Sequence, residues 1–250
     1  MDDALIEIAF RPRPTAQRPL LGLTVLVVED SLYASEAMRL MCLRSGARIR
    51  RADAITSAER HLAIYRPSVA IVDLGLPDGS GLDLIARMHA TTPRVPILLG
   101  TSGAEREAAR KDCIAAGANG FLPKPIASLA GFQAMILGLM SADLRPCMPR
   151  LMVEGGVEPD PLALREDLTH AIALLALAEP PTAYLKRFLL GLARSAQDRA
   201  LEGHAQDIGT RLAQDDCRAL SAFLSQRVQG LPMAIQPQSR GITRKPSSIN

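Results

Sequence analysis

Apolar residues follow two rhythms along this chain. In the first half they form short unbroken runs, Leu23–Val28 (LTVLVV), Val69–Val72, Val95–Leu99 and, more weakly, Gly120–Leu122. Runs of this length rich in β-branched residues suit strands buried on both faces of a parallel sheet. Between them, Ser31–Ser45, Thr56–Tyr65, Gly81–His89, Glu105–Ala116 and Ile126–Met140 carry apolar positions at helical spacing. Arg48–Ala52 is charged, which an edge strand tolerates, and it supplies a fifth strand. Strand and helix therefore alternate, and the pattern predicts an α/β domain: a doubly wound, five-stranded parallel sheet. Functional groups in such a sheet collect where strands end and loops begin.

Pro and Gly then set the boundaries. Pro12, Pro14 and Pro19 interrupt any regular element in residues 1–21, which read as a flexible arm before a domain spanning 22–140. A stretch rich in Pro and Gly over 141–161 reads as a linker. Beyond it no strand pattern returns. Leu162–Ala178, Ala183–Ala196, Arg199–Leu212 and Asp216–Val228 predict a small all-α domain over 162–230, followed by a polar, disordered tail over 231–250.

Composition narrows the class. With 250 residues, 48% hydrophobic and 22% charged, the chain has material for two packed cores, and a net charge of +3 leaves no electrostatic footprint for nucleic acid or an anionic membrane. Cys42, Cys113, Cys147 and Cys217 form no CxxC pair and share no metal-ligand spacing with histidine. The opening residues lack an apolar run. The expectation is a cytoplasmic protein with reduced thiols and no membrane association.

The chemistry sits at one sheet edge. Glu29 and Asp30 end the first strand and Asp73 ends the third, so a parallel sheet brings three carboxylates to the same side. Carboxylates that close repel one another, and a hard divalent cation, Mg²⁺ for preference, compensates them with oxygen ligation. Thr101 offers a hydroxyl and Lys124 an ammonium from the same edge. A carboxylate nucleophile, a cation site, a hydroxyl and a fixed positive charge are the parts that phosphoryl transfer needs. Asp73 alone would read as a strand-end cap; the set as a whole does not.

The segment 23–140 resembles the receiver domain of two-component response regulators, in VLVVED, IVDLGLPDGSGLDL, VPILLGTSG and GANGFLPKPI, which stand in family order. The resemblance implies a flavodoxin-like fold with Asp73 as phosphoacceptor. It implies that Glu29, Asp30 and Asp73 hold Mg²⁺ together with the backbone carbonyl of Gly75. Thr101 and Lys124 match the residues that contact the phosphoryl group, Thr101 and Phe121 the switch pair, and Pro125 the proline that usually follows a cis peptide bond. Departures from the family pattern are Glu29 in place of the commoner Asp, and the extra glycines Gly79, Gly81 and Gly100.

The resemblance further implies a phosphorelay regulator taking its phosphoryl group from a sensor histidine kinase or a histidine phosphotransfer protein. It implies no enzyme activity beyond the receiver's own Mg²⁺-dependent phosphorylation and dephosphorylation. After phosphorylation, the receiver's last strand and helix are the face expected to reorganise toward the helical half or a partner. That half carries packing stripes such as Leu164, Leu168, Ile172 and Leu175, which suit homodimerisation or partner docking. Neither His170 nor His204 is followed by the Lys and Gly of a phosphotransfer motif. The alternative is a DNA-binding transcription regulator using Ile208–Val228 as a helix-turn-helix. Against it, residues 160–230 carry eight Lys/Arg and nine Asp/Glu, and the second helix opens on Asp215 and Asp216, which phosphates would repel.

Overall fold

The computed structural model describes residues 14–103, 106–126, 128–141, 145, 156–209 and 212–232. The start of the arm, most of the linker expected over 141–161 and nearly all of the tail lie outside the described residues.

Five strands, β1 (Thr24–Val28), β2 (Arg48–Ala52), β3 (Val69–Asp73), β4 (Ile97–Ser102) and β5 (Gly120–Pro123), pair in parallel in the order β2-β1-β3-β4-β5. The order reverses between β1 and β3, where doubly wound folds open a crevice for ligands. Helices α1 (Leu32–Arg44), α2 (Ile55–Ile64), α3 (Gly81–Ala90), α4 (Arg106–Ala115) and α5 (Leu129–Leu139) cover both faces. Strand alternation divides the core. Val25, Val27, Val69 and Ile71 pack with Met38, Phe132 and Ile136 of α1 and α5. Leu26, Val28, Ala70 and Val72 pack with Ala58, Leu84, Ile85 and Cys113 on the other face. Both faces are covered, which is why β1 and β3 are apolar at every position but Thr24, which opens β1, and Asp73, which closes β3. β2 leaves Arg48, Arg50 and Arg51 exposed, as an edge strand can.

Two expectations change in detail, and one departure from the family pattern finds its reason. β4 runs on through Thr101 to Ser102, so Thr101 lies inside the strand rather than after it. The expected arm is packed at its end: Leu20 is fully buried, and Arg18 lies against Gly46, whose φ of 84° turns the chain after α1. The glycine at 100 is a packing requirement, since a Cβ there would stand 2.1 Å from Cys113 Sγ.

The second half forms α6 (Pro161–Leu175), α7 (Thr182–Ser195), α8 (Arg199–Gln206) and α9 (Gln214–Gly230) around a core containing Leu168, Leu185, Leu189, Leu192 and Leu224. α8 stops before the expected Leu212 because Lys186 Nζ donates to the carbonyls of Gln206 and Ile208, satisfying groups that a longer helix would have bonded internally. This bundle packs through α6 and α7 against α1, and through α7 against the Gly75–Leu76 strand of a short hairpin that follows β3. Its main contacts therefore lie at the carboxyl edge of the sheet. Among the described residues no helix is long and apolar enough to cross a membrane.

Candidate functional site

Each acidic side chain is placed by the strand that ends beside it. Glu29 and Asp30 follow β1 and Asp73 closes β3, so parallel pairing of these neighbours brings the three together. One carboxylate oxygen from each lies within 4.8 Å of the others. Glu29 and Asp73 are buried, and Asp30 is partly so.

Lys124, directly after β5, reaches across this group. Its Nζ lies 2.8 and 2.7 Å from the two Glu29 oxygens and 3.3 Å from Asp73 Oδ1. Burial works against its charge, but Asp73 and then Glu29 outweigh burial and hold the ammonium protonated. Glu29 is pushed well up by burial, and Lys124 opposes that push. Asp30 is raised to about 6, first by burial and then by the Asp73 charge. One ammonium cannot neutralise three carboxylates, and the closely spaced oxygens are the hard donor set that a divalent cation takes. The residues present therefore fit Mg²⁺.

Thr101 stands opposite Asp73 in the parallel register of β3 and β4. Its hydroxyl is fully buried and has no hydrogen-bond partner among the described residues. Gly75 lines the same cavity, which measures about 240 Å³. The Lys124–Pro125 bond is cis, as is Thr92–Pro93, which the sequence reading did not single out. Phe121 is buried in β5, its side chain in the layer formed by α2, α3 and α4. Every residue expected at the site thus lies at the carboxyl edge or in the strand behind it.

Close sterics hold the acceptor in place. A Cβ on Gly81, the first residue of α3, would stand 2.0 Å from the Asp73 carbonyl oxygen, so only glycine lets α3 begin there. Asp78 of the same loop accepts from the backbone N–H groups of Ile55 and Thr56 at 2.8 and 2.9 Å, tying the loop to the start of α2.

The sequence reading missed the contribution of the helical half. Tyr184 of α7 donates its hydroxyl to Asp30 Oδ2 at 2.6 Å. Arg187, Phe188 and Gly191 of α7 form one wall of the cavity. Asp167 of α6 is buried and caps α1, accepting from Ser31 Oγ at 2.7 Å, Leu32 N at 2.9 Å and Tyr33 N at 3.0 Å. Burial raises the Asp167 pKa, and these hydrogen bonds oppose the rise. One signal for Asp167 was present: it falls on the face of Leu164, Leu168 and Ala171, where a charge needs a partner. Tyr184 carried no such signal.

A crossed α/β sheet with a buried acidic cleft, an opposed hydroxyl and a paired lysine defines a receiver-type domain. Residues 25–135 match the response regulator receiver domain, and this part of the chain is a receiver domain of the two-component kind. The chain is similar to the transcriptional regulatory protein PhoP of Escherichia coli O157:H7, 35% identical over 101 residues, 40% of this chain and 45% of that one. The virulence transcriptional regulatory protein PhoP of Salmonella typhi is 34% identical over the same shares. The chain thus spans less than half the length of these curated relatives. Among solved structures, the chemotaxis response regulator CheY4 of Vibrio cholerae is 19% identical with a TM-score of 0.44, covering 47% of this chain and 98% of that one. A two-component response regulator from Clostridium difficile is 14% identical with a TM-score of 0.43, covering 47% and 94%.

Proposed function

We propose that this chain is a phosphorelay response regulator whose Asp73 accepts a phosphoryl group from a sensor histidine kinase or histidine phosphotransfer protein. The observation that carries this reading is the meeting of Glu29, Asp30, Asp73 and Lys124 around one small cavity, with Thr101 beside Asp73 in the strand register.

Chemically, an Asp73 carboxylate oxygen attacks phosphorus and the P–N bond to the donor imidazole breaks. The new P–O bond makes an acyl phosphate, and the departing imidazole keeps the bonding electron pair and is protonated. Glu29, Asp30 and Asp73 would hold Mg²⁺ with the Gly75 carbonyl, and the ion supplies charge neutralisation for the phosphoryl oxygens. Lys124 stands beside Asp73 Oδ1 and offers its ammonium to one of those oxygens. Thr101 brings an uncommitted hydroxyl for another. The chain is not otherwise an enzyme on this reading. It works in the cytoplasm, and its helical half reads the receiver's state and dimerises or docks a partner. The test is labelling by phosphoramidate in Mg²⁺: the wild type takes up acid-stable, alkali-labile phosphate and Asp73→Asn takes up none. Equal labelling of the two proteins overturns the assignment.

A second reading, DNA binding through the last helices, draws on the names of the PhoP relatives. It must contend with Asp215 and Asp216 in the first turn of α9. A mobility-shift assay over a salt series decides it, since a DNA complex must weaken steeply with salt.

A further inference from the structure

We infer that α7 is a latch over the phosphoacceptor cleft, and that the Tyr184 hydroxyl and a divalent cation compete for the same carboxylate, Asp30, so that loading the cation loosens the seam between the two halves. The inference rests on the metal-binding part of the reading above and adds an order of events to it.

Four features of the seam bear on one another. Tyr184 takes Asp30 Oδ2 at 2.6 Å, an oxygen of the least buried of the three carboxylates. Arg187 lines the same cavity from α7, and its Nε lies 3.3 Å from where a Cβ on Gly75 would stand. The carboxylates of Glu29, Asp30, Asp73 and Asp112 line that cavity with Lys124, a net charge of minus three that favours keeping the arginine close. A divalent cation cuts that net charge to minus one and so weakens the pull on Arg187. The same cation thus removes the hydroxyl's acceptor and weakens the arginine's attraction.

The other two features hold the latch. Gly103, after β4, packs backbone to backbone on Gly191: a Cβ on Gly103 would stand 2.6 Å from Gly191 Cα. Asp167 accepts the first backbone N–H groups of α1, Leu32 and Tyr33, so the protection of those two amides reports whether the halves are joined.

Access gives the latch its consequence. The cavity is about 240 Å³, whereas a helix presenting a phosphohistidine is about 10–12 Å wide with its side chains. With α7 seated, a small phosphodonor can enter and a protein donor cannot bring its helix to Asp73. Cation loading, by loosening α7, admits the protein donor. Because coupling between two sites is reciprocal, a seated α7 must weaken cation binding by the factor that the cation weakens seating.

The experiment uses the full chain and Mn²⁺ as the probe, with free Mn²⁺ followed by its EPR signal in wild type, Tyr184→Phe and Gly103→Ala. Both variants bind Mn²⁺ more tightly than wild type, Tyr184→Phe by roughly tenfold, the scale of one hydrogen bond to a charged acceptor. In wild type, Mg²⁺ speeds hydrogen exchange at Leu32 and Tyr33. Equal Mn²⁺ affinity in the wild type and Tyr184→Phe, or unchanged protection of those amides at saturating Mg²⁺, overturns the latch. Phosphoramidate labelling of the same samples keeps the two ideas apart. Tighter Mn²⁺ binding without any labelling sinks the phosphorelay reading and leaves the latch standing. Labelling with unaltered Mn²⁺ affinity does the reverse.

Discussion

Asp73 and Thr101 face each other in the register of β3 and β4, and the Thr101 hydroxyl, sealed from solvent, has no partner among the described residues. A buried polar group left without a hydrogen bond costs about 1–3 kcal/mol, so this hydroxyl is a poor choice for stability alone. Thr101→Val removes it at nearly constant shape. The expected outcome is a protein as stable as wild type or about 1 kcal/mol more so, which binds the phosphoryl mimic beryllofluoride roughly tenfold more weakly. Denaturant unfolding and a beryllofluoride titration measure the two effects. A variant that loses stability and keeps its affinity contradicts the role.

Gly100 and Cys113 form a lock between β4 and α4. A Cβ at 100 would stand 2.1 Å from Cys113 Sγ, and the next atom, Cys113 Cβ, at 3.4 Å. Gly100→Ala is therefore expected to cost about 2–3 kcal/mol by overpacking. Adding Cys113→Ala removes the colliding sulfur and should restore at least half of the loss, a favourable coupling in a double-mutant cycle. Costs that simply add would show that the strand's need for glycine lies elsewhere.

Much of this site was legible in sequence because its parts are local. Glu29 and Asp30, Asp73, Thr101 and Lys124 each lie at or next to the end of an apolar run, and parallel strands put those ends on one edge whatever the loops between them do. β2 was also readable, since an edge strand may be charged on both faces. The seam was not readable. Tyr184 meets Asp30 across 154 residues and Asp167 meets Ser31 across 136, and helical periodicity says which face of α6 or α7 is buried without saying against what. The main contacts of the helical half, on α1 and the Gly75–Leu76 strand, accordingly had no counterpart among the faces legible in sequence. Gly100 stood out in sequence only as a departure from the family pattern, because a sequence shows the missing side chain and not the sulfur that needs the space.

Lys124 is the fixed positive charge in a cleft of three carboxylates, with its ammonium within 3.3 Å of both Glu29 and Asp73. Removing one partner of a buried pair strands the other and typically costs about 3–5 kcal/mol. Lys124→Gln is expected to fall in that range without added cation. Millimolar Mg²⁺ should recover more stability in this variant than in wild type, because the ion then supplies charge that the side chain no longer does. Urea midpoints with Mg²⁺ and with chelator test this. An equal Mg²⁺ response in the two proteins would mean that the cation does not share the lysine's electrostatic task.

Asp78 gives the acceptor loop a pH dependence of known sign. Partial burial pulls its pKa up, but the backbone N–H groups of Thr56 and Ile55 outweigh burial and hold it below the ordinary 3.8. The carboxylate form is thus favoured by folding. Its contribution is fully present above pH 3.8 and is lost as pH falls through the lower folded value. Asp78→Ala should cost about 1 kcal/mol at pH 7, the usual worth of a helix cap. The difference from wild type should then shrink as acid protonates Asp78 in the wild type, so the two unfolding curves converge well below pH 4. A gap that stays constant from neutral pH into strong acid would show that the loop is held by something other than this carboxylate.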